Sequence, residues 1–418
     1  MKLNIHSMHV EVDEQGHLIL PPEIIERFGL IPGASVLIEE GANHISFGRS
    51  AAALSKIYIE PTNQCNLDCR TCMRNVWDEP LGKMTDQTFS KIIQGLSQFS
   101  VTPSVFFGGF GEPLVHPDII EMVQRAKRAG AEVELITNGI LLDETISGKL
   151  MEAGLDRIWV SIDGATPKSY EDVRLGAALA QVIENLMGLQ KIRTLTGQRL
   201  PKLGIAFVAM KRNITDLPLV VNLGKRLGAD QFSISNVLPH NQELKEQVLY
   251  ARSIYEWTNL PSEWAPLISL PRLEINALTK EPLAETLKDW KKISVARQEL
   301  AMGANTCPFV EKGSISIRWD GAVSPCLPLL HSHESYLDET KRQNHSFSVG
   351  NITEHSLFDI WNDPPYVQLR ERLMEFDFSP CTICNSCEMA EANLEDCFGS
   401  VQPACGGCLW AQGFIQCP

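Results

Sequence analysis

Between residues 73 and 306 this chain of 418 residues has no cysteine, although it has 12 in all. Three stand at Cys65, Cys69 and Cys72, and nine lie between Cys307 and Cys417. The sequence also lacks any apolar run of about eighteen residues, so no membrane span is predicted. Its first residues, MKLNIHSMHVEVDEQGH, lack the apolar stretch of a secretory signal, which predicts a cytoplasmic protein. Basic residues are in deficit, 37 Lys and Arg against 51 Asp and Glu, for a net charge of −14. That balance argues against a chain whose main business is to coat nucleic acid. In a leaderless chain of this length, so many cysteines point to metal ligands rather than to a disulfide framework. The hydrophobic fraction of 44% is enough to build a large core, and the length suits two or three domains.

Residues 1–50 read as a small β-rich unit. Alternation in MHVEVDE and HLILP predicts two short strands around the turn Glu14-Gln15-Gly16. Pro21-Pro22 then opens a short helix, EIIERFG, and strands follow in IPGASVLIEE and HISFGR. Residues 51–262 alternate strand and helix. Six apolar runs, KIYIEP, SVFFGG, EVELITN, RIWVSID, KLGIAFVAM and QFSISNVL, are separated by helical patterns such as PDIIEMVQRAKRAG and TDLPLVVNLGKRLG. Repeated β-then-α order predicts an α/β fold with a parallel sheet and right-handed crossovers. Six units suit an open or partial (β/α)6 barrel, with ligands at the C-terminal ends of the strands. Residues 263–300 are expected to be a mostly helical connector. Residues 301–418, short-turned and loaded with cysteine, are expected to have little apolar core and to fold around metal.

The chemistry begins in Cys65-x3-Cys69-x2-Cys72, directly after the first strand. Three thiolates on one loop can hold three irons of a 4Fe–4S cluster and leave the fourth iron open to a ligand. A zinc loop completed by a fourth ligand from elsewhere is the alternative. Glu60 stands with this loop at the end of the first strand, and at other strand ends stand Gly109 to Glu112, Asn138, Ser161, Asp163, Met210 and Asn213. His240, at the end of the sixth strand, is read as an ordinary satisfied surface histidine.

The cysteine spacing at the end of the first strand of a βα array resembles the radical S-adenosylmethionine (SAM) superfamily, over residues 56–240. FFGGFGEPLVHP resembles that family's glycine-rich motif. The resemblance implies a 4Fe–4S cluster on Cys65, Cys69 and Cys72. It also implies a SAM site built from Gly109, Gly111, Glu112, Asn138, Ser161, Asp163, Arg174 and Met210. Arg174, in SYEDVR, would meet the SAM carboxylate, and only a guanidinium can pair with a carboxylate in that two-pronged way. One position departs from the family pattern: the residue before the third cysteine is usually aromatic and here is Thr71, with Met73 or Trp77 as replacements for the adenine contact. The activity implied is reductive cleavage of SAM to a 5′-deoxyadenosyl radical that takes a hydrogen atom from a substrate. An electron donor such as ferredoxin or flavodoxin is implied with it.

Cys307-x13-Gly321-x4-Cys326, followed by Cys381, Cys384, Cys387, Cys397, Cys405, Cys408 and Cys417, resembles the SPASM extension of such enzymes. It implies one or two auxiliary iron–sulfur clusters, with one cysteine spare. A zinc ribbon on Cys381, Cys384, Cys405 and Cys408 is the alternative there. Three stretches, IYIEPTNQCNLDCRTCMRNVWDEPLGKM, SCEMAEANLEDCFG and CGGCLWAQGFIQCP, resemble the tungsten cofactor oxidoreductase maturases. That likeness implies action on a protein, peptide or cofactor in maturing a tungsten enzyme; a peptide-modifying enzyme of another pathway is the alternative within the superfamily. GHLILPPEIIERFGLIPGASVLIEE resembles the AbrB-like swapped-hairpin fold, which implies a homodimer through residues 1–50. Members of that group bind DNA through basic residues, but this segment has Lys2, Arg27 and Arg49 against seven acids. A surface of that sign repels phosphate, so a metal-stabilised DNA-binding regulator is disfavoured. A bare electron carrier is disfavoured too, because it needs no glycine loop, Asn138 or Asp163.

Overall fold

In the computed structural model, residues 10–28, 30, 38–41, 44–47, 50, 52–250, 267–287, 293–295, 306–337, 340–379, 381 and 387–418 are described. Cys384 and residues 31–37 of the expected N-terminal strand lie outside them. All six apolar runs become strands: β1 (Lys56–Ile59), β2 (Ser104–Phe107), β3 (Val133–Thr137), β4 (Arg157–Ser161), β5 (Lys202–Ala209) and β6 (Ala229–Asn236). They lie side by side in chain order, every pair parallel. Their apolar runs are continuous because both faces are covered. Ile57, Ile59, Val105, Phe107, Ile158 and Val160 face the helices in the main core. Tyr58, Phe106 and Trp159 form a second cluster with Phe309, Cys326 and Leu330.

The helices between the strands follow local rules. Thr85 caps Asp86–Leu96 by accepting the Thr88 N–H, and Phe89, Ile92 and Leu96 make its buried stripe. Ile119–Arg128 buries Ile119, Met122, Val123 and Ala126, and carries Arg125, Lys127 and Arg128 in its last turn, where the helix dipole favours cations.

The connector differs from expectation. Among its described residues, β7 (Leu267–Leu270) and β8 (Ile293–Val295) extend the sheet in parallel beyond β6, with the helix Lys280–Leu287 between them. Runs of three and four residues are too short to show a strand period, so only tertiary pairing reveals them.

The cysteine-rich region joins the same sheet. Its strand β9 (Ser314–Ile317) pairs in parallel with β1, and β10 (Ala322–Ser324) and β11 (Gly350–Asn351) follow antiparallel. Ile315, Ile317, Val323, Ile352, Leu357 and Trp361 join the barrel's own core. Among the described residues of 377–418, short turns predominate. The last segment runs over the inner face of the sheet. The Asn236 amide donates to the Phe414 carbonyl at 2.8 Å and Gln416 to Ile234 at 2.6 Å, while the Tyr58 hydroxyl reaches Pro418 at 3.4 Å.

At the N-terminus, Glu11–Val12 and Leu18–Ile19 pair antiparallel around a turn in which Asp13 accepts the Gln15 and His17 N–H groups. The helix Pro22–Phe28 and a hairpin of Ile38–Gly41 with His44–Phe47 follow.

Candidate active site

After β1 the chain turns into the cysteine loop, and its ends are tied together. The Asn63 amide donates to the Pro80 carbonyl at 3.0 Å, its oxygen accepts the Gly82 N–H at 2.7 Å, and Thr62 donates to the Gly82 carbonyl at 2.6 Å. The far side is fixed to the helix Pro167–Val173, where the Arg70 N–H meets the Val173 carbonyl at 3.0 Å. Cys69 is buried, and Cys65 and Cys72 are half-buried. Burial pushes the Cys72 thiol up to about 11 and raises Cys69 too, although Arg174 opposes the latter. Such thiols stay protonated at neutral pH until a metal displaces the proton.

The glycine-rich loop after β2 lies against this cysteine loop. A Cβ on Gly111 would lie 2.0 Å from the Thr62 carbonyl oxygen, so the backbones touch where no side chain fits. Gly109 has φ +131°, and a Cβ there would come within 2.8 Å of Glu60. Glu112 is buried; one oxygen accepts the Leu114 N–H at 3.0 Å and the other the Asn138 N–H at 2.7 Å. Burial raises its pKa in spite of these donors. The Asn138 amide in turn donates to Asn66 at 2.8 Å and lies 3.9 Å from the Cys65 sulfur.

On the other flank, Asp163 is wholly buried after β4 and accepts the Val208 N–H at 2.7 Å. Arg174 is half-buried. Its Nε and Nη2 both lie 2.7 Å from Asp163 Oδ2, and Nη1 is 3.9 Å from the Cys69 sulfur. The carboxylate that the guanidinium grips within the chain is thus that of Asp163. Burial works against the charge on Arg174, but Asp163 outweighs it and raises the pKa further. Ser161 and Met210 are buried. The Met210 N–H donates to Asn213, whose amide holds the Asp163 and Val208 carbonyls.

Of the two aromatic-contact candidates, Met73 is buried, and Trp77 packs edge-on against Phe110 with ring centroids 5.3 Å apart. His240 is buried rather than at the surface, and its Nε2 has no partner. Tyr170, in the same SYEDVR segment as Arg174, belongs with this group. Its hydroxyl is buried without a partner, and its charged neighbours are Arg174, Asp163 and Cys69. Its place four residues before Arg174 in one helical turn is the sequence signal for that grouping.

The second set of cysteines divides. Cys307, Cys326, Cys405 and Cys408 line one enclosed cavity with Phe309, Phe376 and Trp410. Burial pushes the Cys307 thiol up to about 12 and raises the other three. Cys417 sits beside Trp410 in the adjoining cluster. Cys381 is not in that lining, and Cys384, its neighbour in the zinc ribbon considered from sequence, lies outside the described residues. Cys387 and Cys397 are exposed. Among the described residues, no three His, Cys, Asp or Glu side chains converge as they would around one metal ion.

The radical SAM superfamily profile matches residues 59–195, and that of an iron–sulfur cluster-binding domain, SPASM, matches residues 307–388. The tungsten-containing aldehyde ferredoxin oxidoreductase cofactor-modifying protein of Pyrococcus furiosus is 31% identical over 368 residues, covering 87% of this chain and 96% of that protein. The PqqA peptide cyclase of Granulibacter bethesdensis is 27% identical, covering 82% of this chain and 81% of that protein. Among solved structures, Streptococcus suis SuiB bound to S-adenosylmethionine shares the fold with a TM-score of 0.51 at 16% identity, over 81% of this chain and 72% of that one. Among the described residues, no helix is long and apolar enough to cross a membrane. The chain belongs to the radical SAM superfamily, in the branch with a SPASM domain, and is an enzyme of 4Fe–4S clusters and S-adenosylmethionine.

Proposed function

We propose that this enzyme matures a tungsten-containing oxidoreductase by modifying its protein or its cofactor. The observation that carries this is the likeness to the Pyrococcus furiosus cofactor-modifying protein, which runs through barrel and cysteine-rich region alike. When bound, the reduced cluster and SAM supply a radical able to take hydrogen from an unreactive C–H bond.

The chain's residues then have the following parts. Cys65, Cys69 and Cys72 hold the catalytic cluster and leave one iron open. Gly109 and Gly111 let the backbone approach SAM, Glu112 fixes that loop to Asn138, and Arg174 with Asp163 and Ser161 borders the site. Met210 closes its apolar side. The orphaned Tyr170 hydroxyl fits this reading, because a buried donor without a partner beside Arg174 and Cys69 wants a ligand. Cys307, Cys326, Cys405 and Cys408 hold one auxiliary cluster. Cys381, Cys384, Cys387 and Cys397 hold the other, and Cys417 is the spare. Four thiols lining one cavity favour that division.

The proposed units are residues 1–50, the barrel of 51–262, the connector 263–300 and the auxiliary region 301–418. Val12, Leu18 and Ile19, all exposed in the N-terminal hairpin, favour a dimer through residues 1–50. A ferredoxin or flavodoxin supplies electrons in the cytoplasm.

The test is 5′-deoxyadenosine release by the anaerobically reconstituted, reduced enzyme. Adding an unmatured tungsten oxidoreductase should raise the release and leave a mass change on that protein or its cofactor. No stimulation by that partner, with stimulation by a short peptide substrate, would move the enzyme to peptide modification.

A further inference from the structure

Buried Glu60 and His331 and half-buried Glu79 form a chain that the site residues above do not include. Glu60 directly follows β1 and has no exposed surface. Its Oε1 accepts the Phe110 N–H at 3.0 Å, and its Oε2 accepts from His331 Nε2 at 2.9 Å. The other ring nitrogen donates to Glu79 Oε2 at 2.6 Å. Glu79 also accepts the Ser332 N–H at 3.3 Å and stands 3.6 Å from Arg318, itself paired with Asp320. Trp77 lies against the imidazole with centroids 4.1 Å apart, and Phe110 meets it edge-on at 5.5 Å.

A ring with a carboxylate at each nitrogen is placed to donate at both, which favours its positively charged form. Burial opposes that charge, but the hydrogen bonds and charges of Glu60 and Glu79 outweigh it and raise the histidine's pKa. An aromatic face over the ring favours a cation as well. Both oxygens of Glu60 and both nitrogens of His331 are engaged. The chain therefore has no free atom with which to take a proton from a substrate, and its work is to hold something in place.

What it holds is the glycine loop. Phe110 stands between Gly109 and Gly111, and its N–H is fixed by Glu60. His331 arrives from 271 positions further on, in the cysteine-rich region. We propose that His331 is a positioning residue for SAM: by clamping Glu60 it sets the Gly109–Gly111 loop, and so ties SAM affinity to the docking of the auxiliary region. This rests on the reading of that loop as a SAM contact.

The experiment measures kcat and KM for SAM, by 5′-deoxyadenosine release, on reconstituted full-length enzyme with iron content determined in parallel. His331→Phe keeps the ring and removes both donors. It should raise the SAM KM roughly tenfold or more, the worth of one charge-assisted hydrogen bond, with kcat within about twofold and iron unchanged. Glu60→Ala should do the same, and stands in if His331→Phe does not fold. Glu60→Gln should stay near wild type, because its oxygen still accepts from Phe110 and its amide can donate to a neutral His331. Gly111→Ala, whose Cβ has no room, should raise KM whatever His331 does. If Gly111→Ala raises KM and His331→Phe does not, the clamp is wrong and the loop reading stands. If neither does, both fall. Equal losses in Glu60→Gln and Glu60→Ala would also overturn the clamp.

Discussion

Arg174 grips Asp163 with two nitrogens at 2.7 Å and turns the third to 3.9 Å from the sulfur of Cys69. A single side chain thus joins the floor of the barrel to the cysteine loop. Arg174→Met would leave the Asp163 carboxylate buried without its cation, at a cost of about 3–5 kcal/mol. Adding Asp163→Asn should recover part of that, since the two positions are coupled. Arg174→Lys, which has one compact charge and no fork, should lose less stability yet raise the SAM KM roughly tenfold. Anaerobic chemical denaturation and SAM kinetics check this, and unchanged values for Arg174→Met would remove the pair from the argument.

Iron and SAM cleavage should fail together when the cysteine loop is emptied. Reduced wild-type enzyme with SAM should form 5′-deoxyadenosine, and the Cys65→Ala, Cys69→Ala, Cys72→Ala variant should form none and lose about four irons. Product formed by the triple variant at the wild-type rate would place the reactive cluster elsewhere.

The cavity lined by Cys307, Cys326, Cys405 and Cys408 predicts a second, separable loss. Cys405→Ala with Cys408→Ala should lower iron by about four per chain and leave the catalytic cluster's spectrum in place. Cys417→Ala should leave iron unchanged. Stoichiometric zinc in the wild type, or no loss in the double variant, would rule the grouping out.

His333 gives a pH prediction. Burial lowers its pKa from 6.5 to about 4, while its Nδ1 donates to the His331 carbonyl at 3.1 Å. The folded state therefore favours the neutral ring. Between about pH 6.5 and 4 the unfolded chain binds more protons, so this contribution is whole above 6.5 and is lost as pH falls toward 4. The full span is on the order of 3 kcal/mol. Urea denaturation at pH 5 and pH 7 should show a smaller acid-induced loss in His333→Asn than in wild type. An identical loss would mean that other groups carry the acid sensitivity.

What could be read from sequence was what lies close along the chain. Cys65, Cys69 and Cys72, the glycines around Phe110, and the pairing of strand with helix each occupy a window of a few residues, and spacing alone exposes them. Asp163 and Arg174 were found as separate motif positions, but their grip on each other was not, because a motif does not say where a fork points. Glu79 and His331 escaped notice for a plainer reason: their meaning is in contacts 252 and 271 residues long. His331 and His333 flank one serine, and nothing in that pattern says that one ring lies between two carboxylates while burial favours the neutral form of the other. The strands β7 and β8 were hidden by brevity, and the split of the nine late cysteines by the return of residues 405–408 to Cys307.

The placement of Phe414–Pro418 over the inner face of the sheet has a consequence for how the protein comes into being. Tyr58 meets Pro418 across 360 positions, and Ser55 bonds to Gly313 across 258. On the ribosome, β1 therefore waits with one edge unpaired and one face bare through the synthesis of most of the chain. Closure over such separations is slow, and a bare parallel edge is a site for aggregation in the meantime. Soluble yield should thus depend on late events, the delivery of iron and of the last residues, more than on how fast the barrel's own helices form.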